Sequence, residues 1–376
     1  MKKKSFLIGI LISTIALMIL ACLGPQEPLP VLRIGHAPHD HHSPLYVAAM
    51  NPKYFKKNGG IYLKEKIFHK EYTLISNNKP IAQVQVETST GGSELIRRLA
   101  EGHFDISFGG VPAILSLIDK GRQIQILAPV MAEGAGLIVH IDMPMNNWDD
   151  FLNHVRHHKR PIRIGYKTLV SVQNLIFEHA LQESGISFSM KMEDTTAQVV
   201  MINLHGANML IPALKNGLID GFVIMQPFLA LAETTGVGKT IALLRDMPPD
   251  NKWHGHPCCA LAANNTFVQS RPEISEALLT LMLRARKFII DHPKKSAQQV
   301  SKWLETPIVV EEHSLPTIDF SVELNNSWNE GINFWLESMI ESGRLKGKLR
   351  DAHRDGDLED LIYNQALYNK AIRNLQ

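Results

Sequence analysis

The chain is poor in cysteine, has no excess of either charge, and lacks any long apolar run beyond its first two dozen residues. Only Cys22, Cys258 and Cys259 are cysteines among 376 residues. The last two are adjacent, and the ring that would close between neighbours is strained, so disulfides are not expected to hold this fold. Thirty-nine basic residues oppose 37 acidic ones. That balance argues against a nucleic-acid partner, whose binder normally carries a basic face. Several enzyme signatures are also missing: a nucleophile elbow, a P-loop, a His-Glu-x-x-His helix and a dinucleotide Gly-x-Gly-x-x-Gly. No catalytic residue and no organic cofactor is expected.

What is present begins at the N-terminus. Lys2, Lys3 and Lys4 precede an uncharged, mostly apolar run from Phe6 to Ala21. The run is shorter than the ~20 residues a spanning helix needs, and a small residue before a cysteine is where export signals are cut. The segment resembles a bacterial lipoprotein signal, with residues 1–21 removed and Cys22 acylated. An ordinary cleaved signal or an uncleaved anchor are the alternatives. All three place the remaining chain outside the cytoplasmic membrane, in the periplasm or at the cell surface. Residues 22–30, with prolines at 25, 28 and 30, read as a short stiff tether. The remaining ~350 residues are many for one core and favour two lobes.

The body alternates short apolar runs, glycine- or serine-containing turns and helix-period stretches. Strands are expected at 31–35, 81–88, 104–108 and 124–130. Helices are expected at 44–57, 94–101 and 112–120. This rhythm points to an α/β lobe with a largely parallel sheet. Residues 137–141 read as a strand leaving that lobe. A second αβ series follows, with strands at 162–166, 191–193 and 221–225 and helices at 171–183 and 208–216. Residues 258–263 read as a strand returning, and helices are expected over 272–291, 294–304, 322–342 and 357–372. The expected division is a discontinuous first lobe, 31–136 plus 253–376, and an inserted second lobe, 137–252. Two crossing strands would then leave a hinged cleft.

Several segments, in order, resemble the nitrate/taurine/sulfonate-type solute-binding proteins of ABC importers, a group that includes thiamine-pyrimidine binders. They are strand 31–35 with Pro44-Leu45-Tyr46-Val47-Ala48-Ala49 and Tyr54-Phe55, then Gly91-Gly92-Ser93-Glu94 and Glu101-Gly102-His103-Phe104-Asp105-Ile106. Gly109-Gly110-Val111-Pro112, Leu214 to Gly221 and Gln226-Pro227 follow. The likeness spans about residues 31–345. It implies a two-lobed periplasmic-binding-protein-like (type II) fold with an interlobe cleft and C-terminal helices. It also implies a monomeric receptor that hands a small polar or anionic organic solute to a permease and ATPase, and no single substrate.

In open α/β sheets ligands bind beyond the carboxyl ends of strands, where helix N-termini point free N–H groups. The candidate contacts are therefore His36, His39, His41 and His42 in the first turn, and Gly91, Gly92 and Ser93. Gly109, Gly110, Val111, Glu133 at the crossover, Thr168, Ser171, Gln226 and His256 complete the set. Thr168 and Ser171 could equally be plain N-caps, Gly-Gly turns can serve backbone geometry alone, and Lys167 is either a surface lysine or a contact. Imidazole and thiolate together suit zinc, copper or nickel, and His39, His41, His254, His256 and Cys258 carry that chemistry. Their spacing matches no closed zinc motif, so no metal is assigned. Two other functions stay open: a His/Cys-based metal-binding lipoprotein, and a pyrimidine-making enzyme on the same fold, which the export signal disfavours.

Overall fold

The computed structural model describes residues 28–89, 91–355 and 358–375. The signal segment and Cys22 lie outside these. Contacts divide the chain into Met1–Pro30 and a body, Val31–Gln376. No described helix is long and apolar enough to cross a membrane.

The body contains two sheets. The chain enters the first with β1 (Val31–His36), adds β2 (Ile61–Ile67), β3 (Glu71–Ser76) and β4 (Lys79–Thr88), and continues through β5 (Ile106–Gly110) and β6 (Ile124–Glu133). It then crosses to the second sheet at β7 (Ala135–His140), β8 (Ile162–Tyr166), β9 (Phe188–Ser189), β10 (Val199–Asn203), β11 (Gly221–Met225) and β12 (Gly238–Leu243). It returns to the first sheet with β13 (Pro257–Asn264) and β14 (Ile318–Asp319). The strand orders are β14-β6-β13-β5-β1-β4-β3-β2 and β12-β7-β11-β8-β10-β9.

The first sheet is mixed rather than largely parallel. β1 runs parallel to β4 and β5, whereas β13 and β14 enter antiparallel and β2, β3 and β4 form a meander. The expected helix 44–57 is two helices, Ser43–Met50 and Pro52–Lys57, because a residue before proline is disfavoured in helical geometry and Asn51 stands there. The expected strand at 191–193 does not form. Its one apolar side chain, Met192, stays exposed, and the strand beside β8 is Val199–Asn203 instead. The expected helix 357–372 is also divided, into Glu359–Ile362 and Gln365–Arg373, with the Asn364 side chain capping the second at Leu367 N.

Each sheet is locked at the start of its central strands by the same device. Asp105 accepts from the Arg33 backbone N–H at 2.8 Å and from its guanidinium at 2.8 and 3.2 Å. In the second sheet Asp220 accepts from the Arg163 backbone N–H at 2.8 Å and from the guanidiniums of Arg163 and Arg160. Burial alone would raise the Asp220 carboxyl, yet the two guanidiniums hold it far below the usual carboxylate range. These charge-assisted bonds join β1 to the turn before β5, and β8 to the turn before β11. They fix the strand ends from which the opposite, carboxyl ends project.

Asp220→Asn should keep the fold and lower its stability by about 2 kcal/mol, since the guanidinium partners are part-exposed. The depressed carboxyl contributes its full stabilisation above its unfolded value near 4, and loses it as pH falls toward the folded value. Urea unfolding of wild type and variant should therefore differ at pH 7 and converge at strongly acidic pH.

Candidate functional site

The His-rich turn is built inward. After β1 the chain makes a short 3-10 turn, Asp40–His42, and enters helix Ser43–Met50. Tyr46 pins it, its hydroxyl donating to Ala37 O at 2.7 Å and accepting from His39 N at 3.3 Å. The four imidazoles of the turn are almost wholly buried.

Two of them have tautomers set by backbone partners. Ala37 N–H donates to His42 Nδ1 at 2.9 Å, so neutral His42 carries its proton on Nε2. Gly134 O lies 3.0 Å from His41 Nε2, a carbonyl that can only accept, so His41 donates there and its Nδ1 presents a lone pair. That lone pair faces Cys258 Sγ at 3.5 Å and Cys259 Sγ at 3.8 Å.

Adjacent residues of a regular strand point to opposite faces. The pairing of β13 with β6 slips here: Pro257 faces Ala132 and Cys259 faces Met131, leaving Cys258 as the extra residue of a bulge. Both sulfurs thereby reach the same imidazole. The pair shares its ionisation. The Cys258 thiol, with His41 and His42, pulls Cys259 well down against burial, while Cys259 and burial push Cys258 up.

The second sheet supplies the opposite wall. Lys167, after β8, is buried with Nζ 3.3 Å from Met225 Sδ, and burial lowers its ammonium. Ser171 caps helix Val172–Glu183 by accepting from Asn174 N at 3.3 Å. Gln173, in the first turn of that helix, reaches Cys258 Sγ with Nε2 at 3.9 Å. The walls meet directly where Ser93 Oγ donates to Val170 O at 2.8 Å.

Between the walls lies a cavity of about 20 Å³, lined by His39, His41, His42, Gly92, Ser93, Gly110, Ala113, Lys167, Val170, Ser171, Val172, Gln173, Cys258 and Cys259. That volume suits one water or one ion. His39 Nδ1, His42 Nε2 and Gln173 Oε1 are buried without hydrogen-bond partners. A larger hollow, about 590 Å³, opens elsewhere on the first lobe among Ile290, Pro293, Leu315 and Phe320. Its lining includes Lys294, Glu311, Glu312, Asp319 and Ser321 but takes no residue from the second sheet, whereas the smaller cavity draws polar groups from both sheets and is the candidate site.

Of the residues expected at the cleft, His39, His41, His42, Gly92, Ser93, Gly110 and Ser171 line this cavity, as does Cys258. The others stand apart. His36 packs edge-on against Tyr46 and Trp303. Gly109 is held by the core, where a Cβ would lie 2.3 Å from Ile96. Gly91 and Val111 flank the lining turns, and Thr168 is a neighbour of Lys167 with its hydroxyl buried and unpartnered. Gln226 ties the lobes structurally, accepting from Ala230 N and donating to Thr317 Oγ1. Glu133 is spent at the crossover, on Arg245 at 2.6 Å and the Gly255 N–H at 3.1 Å. His256 donates through Nδ1 to Trp253 O. His254 is half-exposed beside Asp246 and joins no cluster. Cys259 and Gln173 were not among the expected contacts, and Lys167, left open between a surface lysine and a contact, lines the cavity. The bulge that turns Cys259 inward leaves no periodic mark in the sequence.

The sequence profile of the NMT1-like family matches residues 25–305. An uncharacterized protein of Methanocaldococcus jannaschii is 33% identical over 140 residues, covering 37% of this chain and 97% of that one. Among solved structures, the ligand-binding component of an ABC-type import system from Staphylococcus aureus with zinc bound aligns over 91% of this chain and 99% of its own, with TM-score 0.69 and 16% identity. The periplasmic nitrate-binding protein NrtA from Synechocystis aligns over 93% and 89%, at 0.68 and 14%. The aliphatic sulphonate-binding protein SsuA from Escherichia coli aligns over 90% and 99%, at 0.61 and 14%. At such identities the likeness establishes the fold, which is the two-lobed periplasmic-binding-protein fold.

Two outcomes test this geometry. A Cβ at Gly92 would meet the Gly110 backbone N at 3.3 Å, so Gly92→Val should abolish ligand binding in calorimetry while thermal unfolding stays cooperative. Gly109→Val should instead lower the melting temperature. The buried His36 ring, held down to about 3 by burial and by His42, contributes stability fully present above its unfolded value near 6.5 and lost as pH falls below it. Acidification from pH 7.5 to 5 should cost wild type about 2 kcal/mol more than His36→Phe.

Proposed function

The chain belongs to the NMT1-like family, and we propose that it is the extracytoplasmic receptor of an ABC importer, exported as a lipoprotein and held at the membrane by acylated Cys22. It works as a monomer and closes its lobes around a small polar solute. It presents the closed form to a permease and its ATPase, and carries out no chemistry on the cargo.

One observation carries the reading: polar groups from both lobes converge, at the carboxyl ends of their strands, on one enclosed space. His42 and Ser93 come from one lobe, Lys167 and Gln173 from the other. Neither wall alone could desolvate a solute. A micromolar receptor needs about −8 kcal/mol, whereas a single exposed helix N-terminus offers an anion no more than about 1 kcal/mol. Closure is what lets many small donors act together. The Ser93–Val170 bond and the Arg344–Glu178 ion pair are the contacts a closed form would keep and an open one would release. A small polar or anionic solute such as nitrate, a sulfonate or a pyrimidine would require lobes parted more widely than 20 Å³ allows.

X-ray scattering of the mature protein should show two states, the compact one favoured by solute from the host's own extract. A single unchanging profile with every solute would refute the receptor role. Cys22→Ala should move the protein from the membrane fraction to the soluble fraction on cell breakage.

A further inference from the structure

We infer that Cys258, Cys259 and His41 form a binding site for one thiophilic d10 metal ion, copper(I) or zinc(II). That this ion is the cargo rests on the receptor reading above; the coordination itself does not.

The three donor atoms, His41 Nδ1 and both Sγ atoms, all lie within 4.8 Å of one another and all are buried. The imidazole nitrogen is 3.5 Å from one sulfur and 3.8 Å from the other. For an ion bound at ~2.3 Å to sulfur and ~2.05 Å to nitrogen, tetrahedral or trigonal angles separate N from S by about 3.6–3.8 Å. Both nitrogen–sulfur distances are close to those of a shared ion, and the three donors stay within 4.8 Å of one another. Soft thiolates with one imidazole select copper(I) or zinc over hard cations.

The surroundings prepare the donors for that use. Ligating histidines almost always give their other N–H to a carbonyl or carboxylate, which fixes ring and tautomer. His41 does this to Gly134 O at 3.0 Å. Gln173 points an amide N–H at Cys258 Sγ, and the nearby Lys167 ammonium offsets part of the negative charge of two thiolates. Plain thiol hydrogen bonding accounts for less of this. One imidazole lone pair can accept from only one S–H, yet a bulge in β13 turns both sulfurs toward it. The cavity's volume, that of a single ion or water, also fits an ion better than an organic molecule.

The test is anaerobic titration of the reduced mature protein with zinc chloride and, separately, with copper(I) held by a competing chromophoric chelator. One equivalent of at least one ion should be taken up, and bound metal should shield both thiols from maleimide. Cys258→Ser/Cys259→Ser should weaken uptake at least 100-fold, and His41→Ala at least 10-fold, with unchanged far-ultraviolet circular dichroism. No stoichiometric uptake by wild type, or uptake unchanged in the double variant, would overturn the site. Should the variants fail to fold, maleimide shielding in wild type decides alone, and unshielded thiols refute it. Scattering keeps the two readings apart. Metal uptake without compaction upholds the site and refutes the cargo role. Compaction by an organic solute, with no metal uptake, upholds the receptor and refutes the site.

Discussion

The Gly134 carbonyl is the point on which the two halves of the molecule are referenced to each other. It stands between β6 of one sheet and β7 of the other, and it accepts two donors, His41 Nε2–H at 3.0 Å and Gln226 N–H at 2.9 Å. One donor belongs to the His-rich turn after β1, the other to the end of β11 in the second lobe. The backbone turns through positive φ at both Glu133 and Gly134. A side chain at Gly134 would lie 2.5 Å from Ile318 Cγ1 and 3.1 Å from His41 Nε2, so this residue must be glycine for the imidazole to reach the carbonyl. The tautomer of His41, and with it the lone pair facing two sulfurs, follows from that single acceptor.

Around this point the cleft is costly to maintain. Four imidazoles, an ammonium and two thiols are out of water, and buried polar groups destabilise a fold unless they are bonded. Further back, Asp40 accepts from the Ser314 hydroxyl, which also lies near Glu311; burial and Glu311 push the Asp40 carboxyl well up. The cost is offset elsewhere. Each sheet is clamped by an Arg–Asp pair at the far ends of its strands. Trp253, Phe334 and Trp335 pack where the chain returns to the first lobe. Such separation, with stabilising contacts remote from the site, leaves side chains in the cleft without partners of their own, such as His39 Nδ1 and His42 Nε2.

Much of the architecture was legible because it is local. The alternation of apolar runs with Gly-Gly and Gly-Ser turns marked the strand ends at Gly92 and Gly110 that face the cavity. The Phe-Asp-Ile and Ile-Asp-Gly segments entered only as parts of the family likeness; Asp105, expected inside a strand at 104–108, precedes β5 and forms one clamp instead, and neither clamp was foreseen. In the β2–β3 hairpin only β2 has the polar, exposed signature of an edge strand, from Lys64 onward; β3 lies inside the sheet with Tyr72 to Ile75 buried, and neither strand was expected. The strand placed at 191–193 failed, since short polar stretches carry no burial signal.

The sequence by itself determined the fold class, the passage of the chain to a second sheet and back, and the presence of imidazoles and thiols at that return. Those follow from period, composition and turn chemistry, which act over a few residues. Which of those side chains share one space was decided only in three dimensions. A one-residue bulge brings the Cys258 and Cys259 sulfurs to the same imidazole, and one carbonyl across the crossover chooses the nitrogen that His41 offers. Both depend on partners about 90 to 220 positions away in the chain, and no pattern of neighbouring residues encodes them.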